Sequence, residues 1–201
     1  MAEPIDFYFE FASPYGYLAS TQIDSIGARR GRGVRWHPIM LGAALKATGS
    51  KPLVEIPLKG PYMMRDLPRF ARLLGVPFIV PPRMPANSLH ASRAAVWLEE
   101  RDGPEAAKAL AKAILQAHWG EGRDIGAPEL VAEIAAPLGV EPAALLAAVA
   151  DPAIKQRLKD ETEASLERGV FGSPFIFVGG EPFWGVDRLD QVERWLESGG
   201  W

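Results

Sequence analysis

Apolar and polar residues alternate near the start of the chain, where Ile5, Phe7, Phe9 and Phe11 interleave with Asp6, Tyr8 and Glu10. That period of two predicts a strand over Ile5–Phe11. Ser13 then stands at an N-cap position with Pro14 at the first helical one. Leu18, Ala19, Ile23 and Ile26 give the next segment the apolar stripe of a helix, which Gly31-Arg32-Gly33 brings to an end. Val34 to His37 reads as a second strand, closed by Pro38. Residues 48–61 hold Gly49, Pro52, Pro57, Gly60 and Pro61, the chemistry of a loop. Beyond it the pattern is helical with breaks, over 62–75, 87–101, 104–118, 128–137, 142–149 and 152–168. The last of these sets Ile154, Leu158, Thr162 and Leu166 at four-residue steps, between Asp151-Pro152 and Gly169.

Strand character returns at Phe175–Val178, a β-branched and aromatic run followed by a Gly179-Gly180 turn and a returning strand, Glu181-Pro182-Phe183-Trp184. An interior strand cannot lose a ladder donor, so Pro174 marks the entrance of this strand. The final helix is expected to start at Asp187, which caps it, with Asp190 in its first turn and Leu189, Val192, Trp195 and Leu196 as its buried stripe. The strands thus lie at the two ends of an α/β chain, and the helices are inserted between them. No internal repeat or low-complexity linker interrupts it.

With 201 residues the chain can bury one substantial core, and its net charge of −3 gives no reason to expect nucleic acid or an anionic membrane as partner. Cysteine is absent, which removes disulfides, thiol redox chemistry and thiolate metal sites together. Met1-Ala2-Glu3-Pro4 leads into the first strand without a basic, then apolar, leader, and no run approaches the ~18 apolar residues of a membrane span. These features predict a soluble, cytoplasmic protein with no membrane partner. His37, His90 and His118 are too scattered to suggest a metal site. Asp160, Glu161 and Glu163 read as a solvated helix face, Trp97, Trp119 and Trp195 as packing, and Arg65, Arg69 and Arg72 as surface charges at helical spacing. Trp119-Gly120-Glu121-Gly122 falls where a helix must turn.

Two helix starts carry candidate chemistry. Ser followed by Pro is an ordinary helix start, yet a hydroxyl at Ser13 beside unpaired amides can also donate to a bound anion. Asp187 is likewise either a simple cap or part of a second anion-compatible end. Lys59, read from the residues alone, is an ordinary lysine in a Pro/Gly loop.

Four motifs carry a resemblance: Asp6-Phe7-Tyr8-Phe9-Glu10-Phe11 with Ser13-Pro14-Tyr15; Lys59-Gly60-x-Tyr62; Val170-Phe171-Gly172-Ser173-Pro174; and Trp184-Gly185-Val186-Asp187-Arg188-Leu189. In order and spacing, over essentially the whole length, the chain resembles the 2-hydroxychromene-2-carboxylate isomerases. These are bacterial relatives of the kappa-class glutathione transferases, and both are built on the DsbA-like thioredoxin fold. The resemblance implies a single DsbA-like unit over 1–201, with a thioredoxin-like part at about 1–47 and 169–201 and an all-helical insertion at about 61–168. Ser13 then stands where a redox enzyme has its first cysteine.

The resemblance also implies glutathione as cofactor and a small aromatic 2-oxo or 2-hydroxy acid as substrate, in aromatic catabolism, with a homodimer as a family expectation. Glutathione would pair with the main chain of Ser173 before a cis Pro174, like an added strand. Its γ-glutamyl end would meet the amides of Val186 and Asp187 and the Asp187 carboxylate, beside Trp184 and Gly185, and Lys59 would reach a glutathione carboxylate. Ser13 would stabilise the thiolate, which adds to the ring-opened hydroxybenzylidenepyruvate; rotation and loss of glutathione complete the isomerisation. Tyr15, Tyr62, Met64 and Asn87 are candidate walls of the substrate pocket. Two departures stand out. Ser50-Lys51-Pro52-Leu53 replaces the kappa-class Asn-Lys-Pro-Pro, which weakens or removes a side-chain contact there, and Val186-Asp187 replaces Ser-Asp, which keeps the backbone donor but loses a hydroxyl. Two other readings stay open: a kappa-like glutathione transferase or peroxidase, and a non-catalytic DsbA-like binding module.

Overall fold

A computed structural model describes residues 3–201. Ile5–Phe9 forms strand β1 and Val34–Pro38 strand β2, paired in parallel with Phe7 opposite Trp36. Phe175–Val178 (β3) and Glu181–Trp184 (β4) complete a four-stranded sheet of order β2-β1-β3-β4, in which β3 runs antiparallel to both its neighbours. Pairing of β1 with β3 is therefore what joins the two ends of the chain. Between β3 and β4, Gly179 at φ +62° makes the turn, and Pro182 sits on the edge strand, where no donor is needed on the outer side.

The strand β1 ends at Phe9, two residues earlier than the alternation predicts, because the Glu10 amide leaves the ladder for Ser173 Oγ at 3.0 Å. Both faces of β1 are buried. Phe7 and Phe9 pack with Trp36 on one face, within the main core. Tyr8 joins Ile39, Val170, Phe175 and Phe177 in a second cluster on the other.

Two helices, Pro14–Ser20 (α1) and Ile23–Arg29 (α2), replace the single helix expected between the first strands. The break has a local cause: Ser20 Oγ and Thr21 Oγ1 donate to the carbonyls of Tyr17 and Leu18 at 2.6 and 2.7 Å, competing with the helical amides. Leu41–Ala47 forms a short helix, α3, that periodicity did not predict, since it buries only Ala44. The next helix, α4, runs Lys59–Leu74 and so begins three residues before its apolar pattern. Lys59 opens this helix and does not lie in the expected loop, for Pro61 falls in the first turn, where amides have no helical acceptor. The helices α5 (Leu89–Asp102), α6 (Pro104–Leu115), α7 (Pro128–Ala135), α8 (Pro142–Ala150) and α9 (Pro152–Glu167) follow the predicted segments, with a π turn, Gln116–Gly120, extending α6. Trp119 in that turn is fully buried. Glu161 is not a freely solvated charge: Arg157 Nε holds it at 2.8 Å and its side chain is about one-third exposed.

The last helix, α10, spans Leu189–Ser198 and is not capped by Asp187. Asp187 lies inside a preceding 3-10 turn, Val186–Arg188, which Gly185 enters at φ +111°, and an N-cap needs the extended backbone that this turn denies it. Among the described residues no helix is long and apolar enough to cross a membrane, and no group of three or more His, Cys, Asp or Glu is placed to hold a metal ion.

One ion network pins the second face of the sheet. Asp6, 3% exposed, accepts from Arg35 Nε at 2.8 Å, His37 Nε2 at 3.1 Å and Arg168 Nη1 at 2.7 Å, while Arg168 also reaches the Tyr8 hydroxyl at 2.8 Å. Burial alone would raise this carboxyl, but the hydrogen bonds from His37, Arg168 and Arg35 outweigh it and hold Asp6 well below the usual carboxylate range. A lowered folded value adds stability above the unfolded pKa, and that stability is lost as pH falls toward the folded value. Asp6→Asn should therefore cost about 2–3 kcal/mol at pH 7, less than a fully buried broken pair because Arg35 and Arg168 are partly solvated. Denaturant unfolding from pH 7 down to pH 2 should show the gap between variant and wild type closing with acid. A gap of constant size would contradict the assignment.

Candidate functional site

The turn between β1 and α1 is where the two chain ends meet. Ser13, 4% exposed, is the N-cap of α1: its Oγ accepts the Gly16 amide at 3.0 Å and donates to the Ser173 carbonyl at 2.9 Å. The Ser173 hydroxyl in turn accepts the Glu10 amide. The Ser173–Pro174 peptide bond is cis, and the Pro174 carbonyl accepts the Gly185 amide at 3.2 Å. Ser13, Ser173, Pro174 and Gly185 therefore form one connected group, reached from opposite ends of the sequence. Gly16 permits the approach, since a methyl group on it would come within 2.7 Å of Ser173 Oγ.

Three further contacts hold the turn. The Ser13 amide donates to the Glu10 carbonyl at 3.0 Å, the Ala12 amide to Glu10 Oε2 at 2.8 Å, and the buried Trp119 indole to the Phe11 carbonyl at 2.8 Å. Each buried polar group named here has a partner, as a segment that leaves the ladder without reaching water requires. The other Glu10 oxygen meets the Ser88 hydroxyl just before α5. Burial pushes the Glu10 carboxyl up to about 7, against the opposing effect of its bonds to Ser88 and Ala12.

Around this group the other predicted residues are unevenly placed. Tyr15 donates its hydroxyl to Asp66 of α4 at 2.9 Å, and Tyr62 reaches the same carboxylate at 3.4 Å. Burial, then Asp66, Tyr62 and Asp187, raise the Tyr15 phenol, so it stays protonated and acts as a donor. Tyr62 is 58% exposed, and Met64, two positions further along α4, points about 160° away from it around the helix axis. Met64 therefore does not join the Tyr15–Asp66–Tyr62 cluster. Asn87 is exposed and its Oδ1 accepts the Leu89 amide at 3.2 Å, next to the Ser88 that meets Glu10. Lys59 and Asp187 are both exposed, Asp187 lying 3.5 Å from Arg188. Leu58, immediately before Lys59, has φ +68° although it is not a glycine, and Gly60 lies so close to the Val54 carbonyl that no side chain fits there. Trp184, 56% exposed, meets Phe171 edge to face at 4.9 Å, and together they flank Gly172 and Ser173 with an aromatic surface.

Sequence reasoning did not single out Glu10, Ser88, Gly16 or Asp66. Asp66 had a usable signal, since Tyr62, Asp66 and Arg69 share one helical face and Arg69 pairs with Asp66. Glu10 had none, for its partners lie 78 and 163 positions away. An open cleft of about 780 Å³ lies elsewhere, between α5, α8 and α9; of its two arginines, Arg157 is held by Glu100 and Glu161 and Arg101 by Asp102.

Glutathione is a tripeptide with two carboxylates, one ammonium and a thiol. Ser13 offers a hydroxyl, Ser173 a peptide carbonyl whose present partner is that hydroxyl, and Asp187 an exposed carboxylate, groups that fit it in kind, while Lys59 supplies an exposed ammonium at the start of α4.

Known proteins share this architecture. The DSBA-like thioredoxin domain matches residues 4–197. A 2-hydroxychromene-2-carboxylate isomerase of Sphingobium xenophagum is 32% identical over 198 residues, which cover 98% of this chain and 99% of the relative. Glutathione S-transferase kappa 1 of Homo sapiens is 26% identical over 211 residues, covering 96% of this chain and 92% of the relative. Among solved structures, a 2-hydroxychromene-2-carboxylate isomerase superposes with a TM-score of 0.88 at 30% identity, over 96% of this chain and 94% of that one. The chain belongs to the DSBA-like thioredoxin domain family, together with the 2-hydroxychromene-2-carboxylate isomerases.

Proposed function

We propose that this protein is a glutathione-dependent isomerase that interconverts 2-hydroxychromene-2-carboxylate and trans-o-hydroxybenzylidenepyruvate, acting as a single DsbA-like unit in the cytoplasm. The observation that carries the reading is Ser13, buried at a helix start and bonded to the Ser173 carbonyl, in a chain without cysteine. A redox relative would need a thiol of its own at such a position, whereas a hydroxyl has no redox chemistry and is suited to donate to a thiolate that is brought in. When bound, glutathione supplies a thiol that adds reversibly to the conjugated substrate and leaves unchanged.

The chain's own residues then divide the work. The Ser173 carbonyl accepts an incoming backbone N–H in place of the Ser13 hydroxyl, which frees that hydroxyl to donate to sulfur. The Gly16 amide keeps Ser13 Oγ fixed from behind while its proton changes partner. The amides of Val186 and Asp187 and the Asp187 carboxylate receive the zwitterionic end, and Lys59 receives a carboxylate. Trp184 and Gly185 border that end of the groove. Tyr15 and Tyr62, linked through Asp66, supply an aromatic wall for the substrate, with Asn87 as a polar group beyond; Met64 lies on another face of α4. The kappa-class relative supports glutathione as the cofactor and keeps a conjugating transferase as the second reading.

Ser13→Ala should keep the fold, at about 1–3 kcal/mol for the lost N-cap and the unpartnered Ser173 carbonyl, while turnover falls on the order of 10²–10³ because one preorganised donor to the sulfur is gone. The check is the initial rate of isomerisation with saturating glutathione, alongside a denaturation curve. Wild-type rates in the folded variant would overturn the role given to Ser13.

A further inference from the structure

Glu10 is a buried carboxyl that takes no part in the chemistry above, yet it bonds to the turn that carries Ser13, to the start of α5 and to the entrance of β3. Its amide holds the Ser173 hydroxyl, its carbonyl accepts the Ser13 amide, and its two carboxyl oxygens meet the Ala12 amide and the Ser88 hydroxyl. We propose that Glu10 is a positioning residue of the site, whose carboxyl holds the turn carrying Ser13 and whose charge sets how well Ser13 tolerates an anion. This rests on the reading that Ser13 faces a thiolate.

The two protonation states satisfy the same partners. A neutral carboxyl accepts from Ala12 and donates to Ser88, and an ionised one accepts from both, so Ser88 only reverses its hydroxyl. What changes is charge, placed where little water can screen it. With the carboxyl raised to about 7, both states lie within reach of neutral pH. Neutral Glu10 therefore favours an anion at Ser13, and such an anion favours neutral Glu10 to the same extent. The groups that meet Glu10 are polar and uncharged: the Ala12 amide from the turn, Ser88 from the start of α5 and Ser173 from the entrance of β3. Titratable groups on the same elements have other surroundings: Asp6 pairs with Arg35, His37 and Arg168, burial and then Arg93 lower His90 of α5, and burial and then Asp66, Tyr62 and Asp187 raise Tyr15.

The test compares wild type with Glu10→Gln, which keeps an acceptor for Ala12 and a donor for Ser88 but cannot ionise. Without any ligand, the amide NMR signals of Ala12 and Ser13 should titrate with a midpoint near 7 in wild type and stay flat in the variant. The thermal midpoint of wild type should fall between pH 5 and 8 relative to Glu10→Gln, because a raised carboxyl contributes stability at low pH that is lost as pH rises through its folded value. Calorimetry then compares glutathione with S-methylglutathione, which has no ionisable thiol. From pH 6 to pH 8 the preference of wild type for the free thiol should drop about threefold to tenfold relative to the variant. A titration at Ala12 and Ser13 that persists in Glu10→Gln, or is absent from wild type, overturns the proposal. So does a thiol preference that moves identically in both proteins. If wild type binds neither ligand, the functional reading fails and the amide titration alone decides the part played by Glu10.

Discussion

Residues 10–13 leave the β1 ladder without leaving the interior, and the rest of the site follows from how their polar groups are satisfied. An unpaired buried amide or carbonyl costs roughly 1–3 kcal/mol, so each of these groups dictates the position of a partner. The Glu10 amide calls for Ser173, the Phe11 carbonyl for Trp119, the Ala12 amide for the Glu10 carboxyl, and the Ser13 hydroxyl for the Ser173 carbonyl. One partner is local, and the others come from two distant parts of the sequence, Trp119 and Ser173. The antiparallel register of β1 and β3, Tyr8 opposite Phe175, delivers Ser173 to the turn, and Gly16 leaves α1 room to approach it.

The helices between the strands are tied to the same place. Ser88 anchors the start of α5, Asp66 of α4 takes the Tyr15 hydroxyl, and the π turn after α6 buries Trp119 against Phe78 and donates its indole to Phe11. On the opposite face, Arg168 after α9 closes the charge of Asp6. Ser13 is thus held by the sheet, by α1 and by the helical segment together. A hydroxyl fixed in this way loses little freedom when it turns to a ligand, which is what preorganised stabilisation of a developing charge requires.

Strands and long helices were legible in the sequence because their signals are local: alternation over Ile5–Phe9, and the four-residue steps from Ile154 to Leu166 in α9. Ser13 as an N-cap, with Pro14 after it, was legible for the same reason. The corrections come where a distant group overrides a local rule. The final helix starts after Asp187 because Gly185 must turn to give its amide to Pro174, and β1 stops early because Ser173 claims the Glu10 amide. Glu10 is the clearest case, since a glutamate ending a strand looks solvated until residues 78 and 163 positions away close over it. Lys59 shows the reverse: Pro and Gly around it suggested a loop, while both are compatible with a first helical turn.

The central claim is that Ser13 serves a borrowed thiol that is returned after every turnover. Following free thiol alongside the ultraviolet change as 2-hydroxychromene-2-carboxylate equilibrates with trans-o-hydroxybenzylidenepyruvate tests it most directly. The account predicts many turnovers that stop when glutathione is omitted, with free thiol constant throughout. Thiol consumed in step with substrate, or interconversion at the same rate without glutathione, would contradict it.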